Sequence, residues 1–93
     1  MREVFKTSEF RKSVKLLARR HWDLAPLVRV MEKLRDDVPS TELFKDHPLS
    51  GNFIGKRECH VTSITDNWVL VYHKTDDNRL YLHGTGTHAD VFG

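Results

Sequence analysis

Apolar residues recur at helical spacing through the first third of the chain. Four of them fit one face of a helix at i, i+4, i+7 and i+8, namely Phe10, Val14, Leu17 and Ala18. Thr7 or Ser8 offers an N-cap oxygen at the start of this helix. A second helical stripe follows Asp23 and is ended by residues 36–39. Its apolar members are Leu24, Leu27, Val28, Met31 and Leu34. Because the joint between the helices is short, we expect an antiparallel helical hairpin.

The remaining segments have the patterns of strands. Residues 4–5 predict a short first strand, and residues 57–61 alternate between two faces, with Arg57, Cys59 and Val61 on one and Glu58 and His60 on the other. Residues 68–72 are apolar throughout, as in a central strand, and residues 79–83 return after a turn. The order β-α-α-β-β-β predicts one α+β domain over residues 1–93, a two-helix hairpin packed on a mainly antiparallel four-stranded sheet.

Histidines flank the least regular part of the chain. Residues 45–60 begin with a turn-rich loop, because proline and glycine interrupt any regular element there: Pro48, Gly51 and Gly55. His47 and His60 bracket this segment, and the tail 84–93 adds His88 behind two glycines. Glycine can adopt positive φ, which lets a chain end fold back over a sheet. We therefore predict that the two segments form the two halves of one site.

Charge and cysteine content narrow the function classes. The net charge is only +2, but residues 1–20 hold seven Lys and Arg against two Glu. This imbalance predicts either a polyanionic partner or simply a solvated helix face. A single cysteine excludes an internal disulfide, and the N-terminus lacks the apolar segment of a signal peptide. The longest apolar run, residues 68–72, is too short to span a bilayer, so we expect a cytoplasmic protein.

The histidines and cations are suited to acid–base cleavage of RNA. Such a reaction needs a base for the 2′-OH, an acid for the leaving 5′-oxygen, and cations for the phosphorane charge, but no metal or other cofactor. Paired histidines supply the first two, and the third is assigned to Arg57 with Lys45 or Lys56. Trp68 and Phe92 are candidates for stacking on bases, although Trp68 is equally suited to the core.

Three other chemistries fit the sequence less well. His83 and His88 have the spacing of half a zinc site, but the other half is absent, since Cys59 and His60 leave a strand on opposite faces. Cys59 itself reads as a small core residue rather than a nucleophile. The segment 84–87 lacks the lysine and following helix of a nucleotide-binding P-loop.

Four motifs in this order resemble the YafQ-type branch of the RelE/ParE toxin superfamily: residues 45–51, 57–60, 68–72 and 84–93. Residues 1–44 match that branch in element order only. The family has an acidic residue directly before the strand tryptophan, whereas this chain has Asn67 there and Asp66 one position earlier.

The resemblance implies a microbial-ribonuclease-like RelE fold and a type II toxin that cuts messenger RNA in the A site of the 30S ribosomal subunit. The family's active-site histidines correspond to His47, His60 and His88, and its tail aromatic corresponds to Phe92. Asp66 is a further catalytic candidate. From the tail, His88 is placed to act as the acid, with His47 or His60 as the base.

A lethal enzyme also needs an inhibitor in its own host. The resemblance therefore implies a cognate antitoxin, and the basic first helix offers an acidic antitoxin segment a docking face. Two other classes stay open, a non-catalytic poison of the same fold, as in ParE-like gyrase inhibitors, and a plain RNA-binding domain. The histidines favour an enzyme, since binding alone needs no proton exchange.

Overall fold

The computed structural model describes residues 1–65 and 67–93, which form an α+β fold. In chain order the strands and helices are β1 (Glu3–Lys6), α1 (Ser8–Arg19), α2 (Ala25–Arg35), β2 (Phe44–Pro48), β3 (Arg57–His60), β4 (Val69–Lys74), β5 (Arg79–Gly86) and α3 (His88–Phe92). Among the described residues, no helix is long and apolar enough to cross a bilayer.

Five strands form one mixed sheet in the order β1-β5-β4-β3-β2. β1 runs parallel to β5, and all other neighbours are antiparallel. The expectation of four strands is therefore wrong, because part of the predicted loop is the edge strand β2. Pro48 is tolerated there because it ends an edge strand. A bulge between Phe44 and His47, with Lys45 at φ +49°, hides the strand's alternation in the sequence.

Both predicted helices are present, with one correction in the second. The Thr7 side chain accepts a hydrogen bond from the Phe10 N–H at the start of α1 (3.2 Å). In α2 the buried side chains are Leu27, Val30 and Leu34, whereas Val28 is 50% exposed. Val28 lies about 100° around the helix from Leu27, which is outside the buried stripe.

The sheet has two faces that differ in character. The helix-covered face packs against α1 and α2 through apolar side chains such as Cys59, Leu70 and Tyr72. The second face carries polar and aromatic side chains from β3, β4 and β5: Glu58, His60, His73, Tyr81 and His83. This second face positions the candidate site.

Candidate active site

A buried carboxylate, Glu58, lies at the centre of three imidazoles. Its residue is only 4% exposed. His47 Nε2 lies 3.3 Å from Glu58 Oε2, and His88 Nε2 lies 3.0 Å from Oε1. His60 Nε2 is more distant, at 3.9 Å from Oε1. The structure thus brings together the three histidines predicted from the sequence, around a carboxylate that the sequence analysis had not selected.

Each histidine reaches this cluster from a different element. Glu58 and His60 leave β3 on the same face, two residues apart. His47 comes from the edge strand β2, where it is the register partner of Glu58. His88 begins α3, a short helix that was expected only as a folded-back tail. A capping box between Thr87 and Asp90 fixes the start of that helix.

Asn67 orients His88 from the loop before β4. The His88 backbone N–H donates to Asn67 Oδ1 (3.2 Å), and the ring Nδ1 lies 3.3 Å from the same oxygen. Because a backbone N–H can only donate, the amide oxygen must face His88, and Nδ1 must carry a proton to bond it. Nε2 faces the Glu58 carboxylate, another acceptor. These contacts place the His88 ring between an amide oxygen and a carboxylate, which suits it to a proton-donating role.

Exposure separates the three histidines. The side chains of His47 and His88 are 50% and 48% exposed, so both can meet a substrate. His60 is 8% exposed, and its ring centroid lies 5.8 Å from that of His88 in an edge-to-face arrangement. The arrangement therefore offers two accessible proton-transfer groups, joined by one buried carboxylate and supported by a third, buried imidazole.

The same cluster has the donors of a metal site. One ligand atom from each of Glu58, His60 and His88 lies within 4.8 Å of the others. Imidazole nitrogens with one carboxylate oxygen suit Zn²⁺, Cu²⁺ and Ni²⁺. This set differs from the metal ligands considered from the sequence, His83 with His88 and Cys59 with His60.

Three of the predicted RNA contacts remain candidates. The Lys56 ammonium lies 5.6 Å from the centre of the Phe53 ring. Phe92, at the end of α3, packs edge-to-face on Phe53 with centroids 5.0 Å apart, and lies 6.2 Å from the His88 ring. Lys45 is exposed in the bulge of β2, two residues before His47. These three positions are retained as candidate RNA contacts.

Arg57 is not retained, and its prediction is corrected. Strand alternation puts it on the helix-covered face, opposite to Glu58 and His60. There its guanidinium donates to Asp46 Oδ2 at 2.9 and 3.2 Å. This hydrogen bonding holds the pKa of Arg57 above its usual value. The Arg57 cation therefore stabilises a buried carboxylate on the helix-covered face rather than a reacting phosphate.

Trp68 is the second correction among the RNA contacts. It is 6% exposed, packs edge-to-face on Trp22, and donates from Nε1 to Thr85 Oγ1 (3.0 Å). A buried ring with its N–H satisfied is a core residue and offers no face to a base. Asp66, the fourth catalytic candidate, lies outside the described residues.

Cys59 is a core residue, as its place in the strand pattern predicted. The side chain is fully buried, and burial raises the pKa of the thiol to about 12. The reactive thiolate is therefore scarce at neutral pH.

Comparison with known proteins gives consistent results. Residues 2–93 match the family described as "Bacterial toxin of type II toxin-antitoxin system, YafQ". The chain is 38% identical to the mRNA interferase toxin YafQ of Escherichia coli K12, covering 99% of this chain and 97% of that protein.

Solved structures agree in fold. The toxin in the E. coli DinJ-YafQ toxin–antitoxin complex superposes with a TM-score of 0.84 at 38% identity, over 99% of this chain and 98% of that one. A metal-bound toxin from Helicobacter pylori superposes with a TM-score of 0.85 at 32% identity, over 99% of this chain and all of the other.

Proposed function

The chain belongs to the YafQ family of bacterial toxins of type II toxin–antitoxin systems, and from this premise we infer that it is an mRNA interferase. It acts in the cytoplasm as an endoribonuclease, with the ribosome and its message as partners. Cleavage takes place on messenger RNA in the A site of the 30S subunit. The observation that carries this proposal is the pair of half-exposed imidazoles of His47 and His88 on one buried carboxylate, Glu58.

These groups supply both proton transfers of metal-free RNA cleavage. His47, the accessible imidazole on the edge strand, takes the 2′-OH proton as the O2′–P bond forms. His88, held between Asn67 and Glu58, gives a proton to the 5′-oxygen as the P–O5′ bond breaks. Glu58 stabilises the imidazolium ions, and His60 packs beside His88 and helps to fix its position.

A groove between the first two helices supports the proposal of an antitoxin partner. It lies between α1 and α2, with the apolar Val14, Val28 and Met31 inside and cations along its rim: Lys6, Arg11 and Lys15. Val28 is half exposed there. An apolar floor with a basic rim fits an amphipathic segment bearing acidic side chains. We propose that the cognate antitoxin places such a segment in this groove.

A second candidate property is inhibitory metal binding. The donor set of Glu58, His60 and His88 supports it, and a toxin of the same fold from Helicobacter pylori is described as metal-bound. Two histidines exchange protons without a metal, so an ion on these ligands would block His88 rather than assist it. Cleavage should therefore survive a chelator that leaves the ribosome intact, and should fall when Zn²⁺ or Cu²⁺ is added.

Cleavage of ribosome-bound message separates the proposed function from its alternatives. The purified chain is incubated with ribosomes carrying a defined message, and any cut is mapped by primer extension. A cut in the A-site codon supports the interferase. Intact message on ribosomes that bind the protein would instead indicate a plain RNA-binding domain. Inhibition of gyrase supercoiling without any cut would indicate a protein-binding poison.

A further inference from the structure

Four rings stand side by side across the second face of the sheet. Phe5 stacks on Tyr81 with centroids 5.1 Å apart, and Tyr81 stacks on His73 at 4.8 Å with planes 2° apart. His73 stacks on His83 at 4.8 Å, and the two imidazoles share a 2.6 Å contact between Nδ1 and Nε2. These four residues form a ring ladder that the proposed cleavage chemistry does not use.

The ladder ends at a groove. His83 lines a groove of about 630 Å³ that is also lined by Lys12 of α1, by Val91 of α3, and by Phe53 and Lys56 of the loop before β3. This volume is within the usual range for a small-ligand site, so the groove is large enough for a nucleotide unit.

The groove lies beside the candidate active site. Val71 on its floor is the register partner of Glu58 in the neighbouring strand. Phe53 on its wall contacts Phe92, whose ring lies 6.2 Å from His88. A strand of RNA whose scissile phosphate meets His88 would therefore pass this groove with a neighbouring nucleotide.

The groove is lined by both cations and carboxylates. Lys12 and Lys56 contribute two ammonium groups, and Glu9 and Asp90 contribute two carboxylates. Asp90 is already paired with the Arg20 guanidinium at 2.7 and 3.0 Å, which with the cap at Thr87 lowers its pKa to about 2. Burial and the Lys56 charge lower the pKa of His83 to about 4, so at neutral pH its ring is an uncharged stacking surface.

We propose that this groove is a nucleotide subsite, in which a base of the message beside the cleaved bond packs against His83 and Phe53 while its phosphate meets Lys12 and Lys56. Aromatic side chains flanked by cations are the usual means of holding single-stranded RNA without reading its sequence. The subsite rests on the proposed function, since it assumes that the message crosses the neighbouring active site. It assigns a binding role to His83, which was considered from the sequence only as part of a possible zinc site.

The test measures binding and chemistry separately on programmed ribosomes. Toxin in excess is titrated against ribosomes in single-turnover cleavage, which gives a half-saturating concentration and a maximal rate. His83→Ala should raise the half-saturating concentration about 10-fold, because stacking on one base typically contributes that much or more. Lys12→Ala, at an exposed position on α1, should raise it about 3-fold. Both variants should keep the maximal rate within about twofold of the unaltered chain, since neither residue touches the reacting atoms.

Two control variants match the probes in residue type. His21→Asn changes an exposed histidine in the joint between the helices, and Arg29→Ala removes an exposed cation from α2. Neither should change the half-saturating concentration. If His83→Ala and Lys12→Ala behave like these controls, or lower only the maximal rate, the subsite is wrong.

A crosslinking measurement keeps the subsite distinct from the proposed function. A short single-stranded RNA or a ribosome-bound message carries 4-thiouridine, and irradiated protein is digested to locate the attached peptide. Attachment within residues 51–56 or 79–87, weaker in His83→Ala, supports the subsite even if no cleavage is seen. Message that is cut normally but attaches elsewhere would overturn the subsite and leave the interferase intact.

Discussion

Among the described residues, a carboxylate is buried on each face of the sheet, Asp46 on one and Glu58 on the other, and the two have opposite kinds of partners. On the helix-covered face, the Asp46 side chain is 2% exposed and is bonded by the Arg57 guanidinium and the Tyr72 hydroxyl. On the second face, the Glu58 side chain is 5% exposed and is surrounded by three imidazoles. Arginine never loses its proton in proteins, and burial together with Asp46 raises the pKa of Tyr72 far above neutrality.

Burial of a carboxylate therefore does not by itself mark an active site. Neither Arg57 nor Tyr72, the partners of Asp46, changes its protonation state across the physiological range, so this cluster stabilises the fold. Glu58 is surrounded by histidines, the residue type whose side chain exchanges protons near neutral pH. Two of these histidines reach solvent. This difference predicts that substitutions in the two clusters separate activity from stability.

The largest expected effect comes from removing the imidazole of His88. His88→Ala should lower the maximal cleavage rate on programmed ribosomes by about 10²–10⁴-fold, the usual contribution of a general acid. The side chain is 48% exposed, so the thermal unfolding midpoint should stay near that of the unaltered chain. His21→Asn is the matched control. Cleavage by His88→Ala at an unaltered rate would indicate that His47 and His60 alone carry out the proton transfers.

On the other face, breaking the Asp46 cluster should cost stability. Arg57→Met keeps the aliphatic part of the side chain and leaves the buried carboxylate without its cation. We expect a loss of about 2–4 kcal/mol in the free energy of unfolding, measured by urea denaturation. The maximal cleavage rate of the folded protein should change less than about threefold. A large loss of cleavage rate with unchanged stability would instead indicate that Arg57 contacts the reacting phosphate.

Asn67 should have an intermediate effect, because it acts only through His88. Asn67→Ala removes the acceptor that faces Nδ1 and the backbone N–H, and should lower the maximal rate about 10-fold through misplacement of the ring. Asn67→Asp keeps an acceptor oxygen at that place, so its maximal cleavage rate should be close to that of the unaltered chain. If both variants lose activity equally, the contact does not position His88.

The smallest effect concerns pH and the ring ladder. Burial lowers the folded-state pKa of His83 to about 4 from a usual 6.5, so the unfolded chain binds more protons between these values. The stability that depends on neutral His83 is complete above pH 6.5 and declines as the pH falls towards 4. His83→Gln, which cannot titrate, should flatten this part of the stability profile, whereas His21→Asn should not. An unchanged profile in His83→Gln would contradict the assigned burial effect.

The local elements were predictable from the sequence because their signals are local. Helical spacing and a capping threonine define α1, and period-two alternation correctly separates Glu58 and His60 from Cys59. The strand β2 was missed because its bulge and its terminal proline remove the alternation. An edge strand needs only one neighbour, so β3 supports a sequence that looks like a loop.

The candidate site was predictable in its histidines but not in their centre. Glu58 shares its face with His60, and this alternation was the available signal for selecting it. Arg57 was chosen by charge although the same alternation assigned it to the opposite face. Asn67 could not be assigned a role, because its contact with His88 depends on how α3 returns to the sheet, 21 residues along the chain.

The most direct test exchanges each buried carboxylate for its amide. Glu58→Gln and Asp46→Asn are compared in single-turnover cleavage on programmed ribosomes and in thermal unfolding. Glu58→Gln should lose at least about 100-fold in maximal rate with a nearly unchanged unfolding midpoint. Asp46→Asn should lower the unfolding midpoint by roughly 5 °C or more, because a loss of about 1 kcal/mol has this effect in a domain of this size. It should leave the maximal cleavage rate unchanged. Full activity in Glu58→Gln, or lost activity in a stable Asp46→Asn, would contradict the assignment of chemistry to the second face.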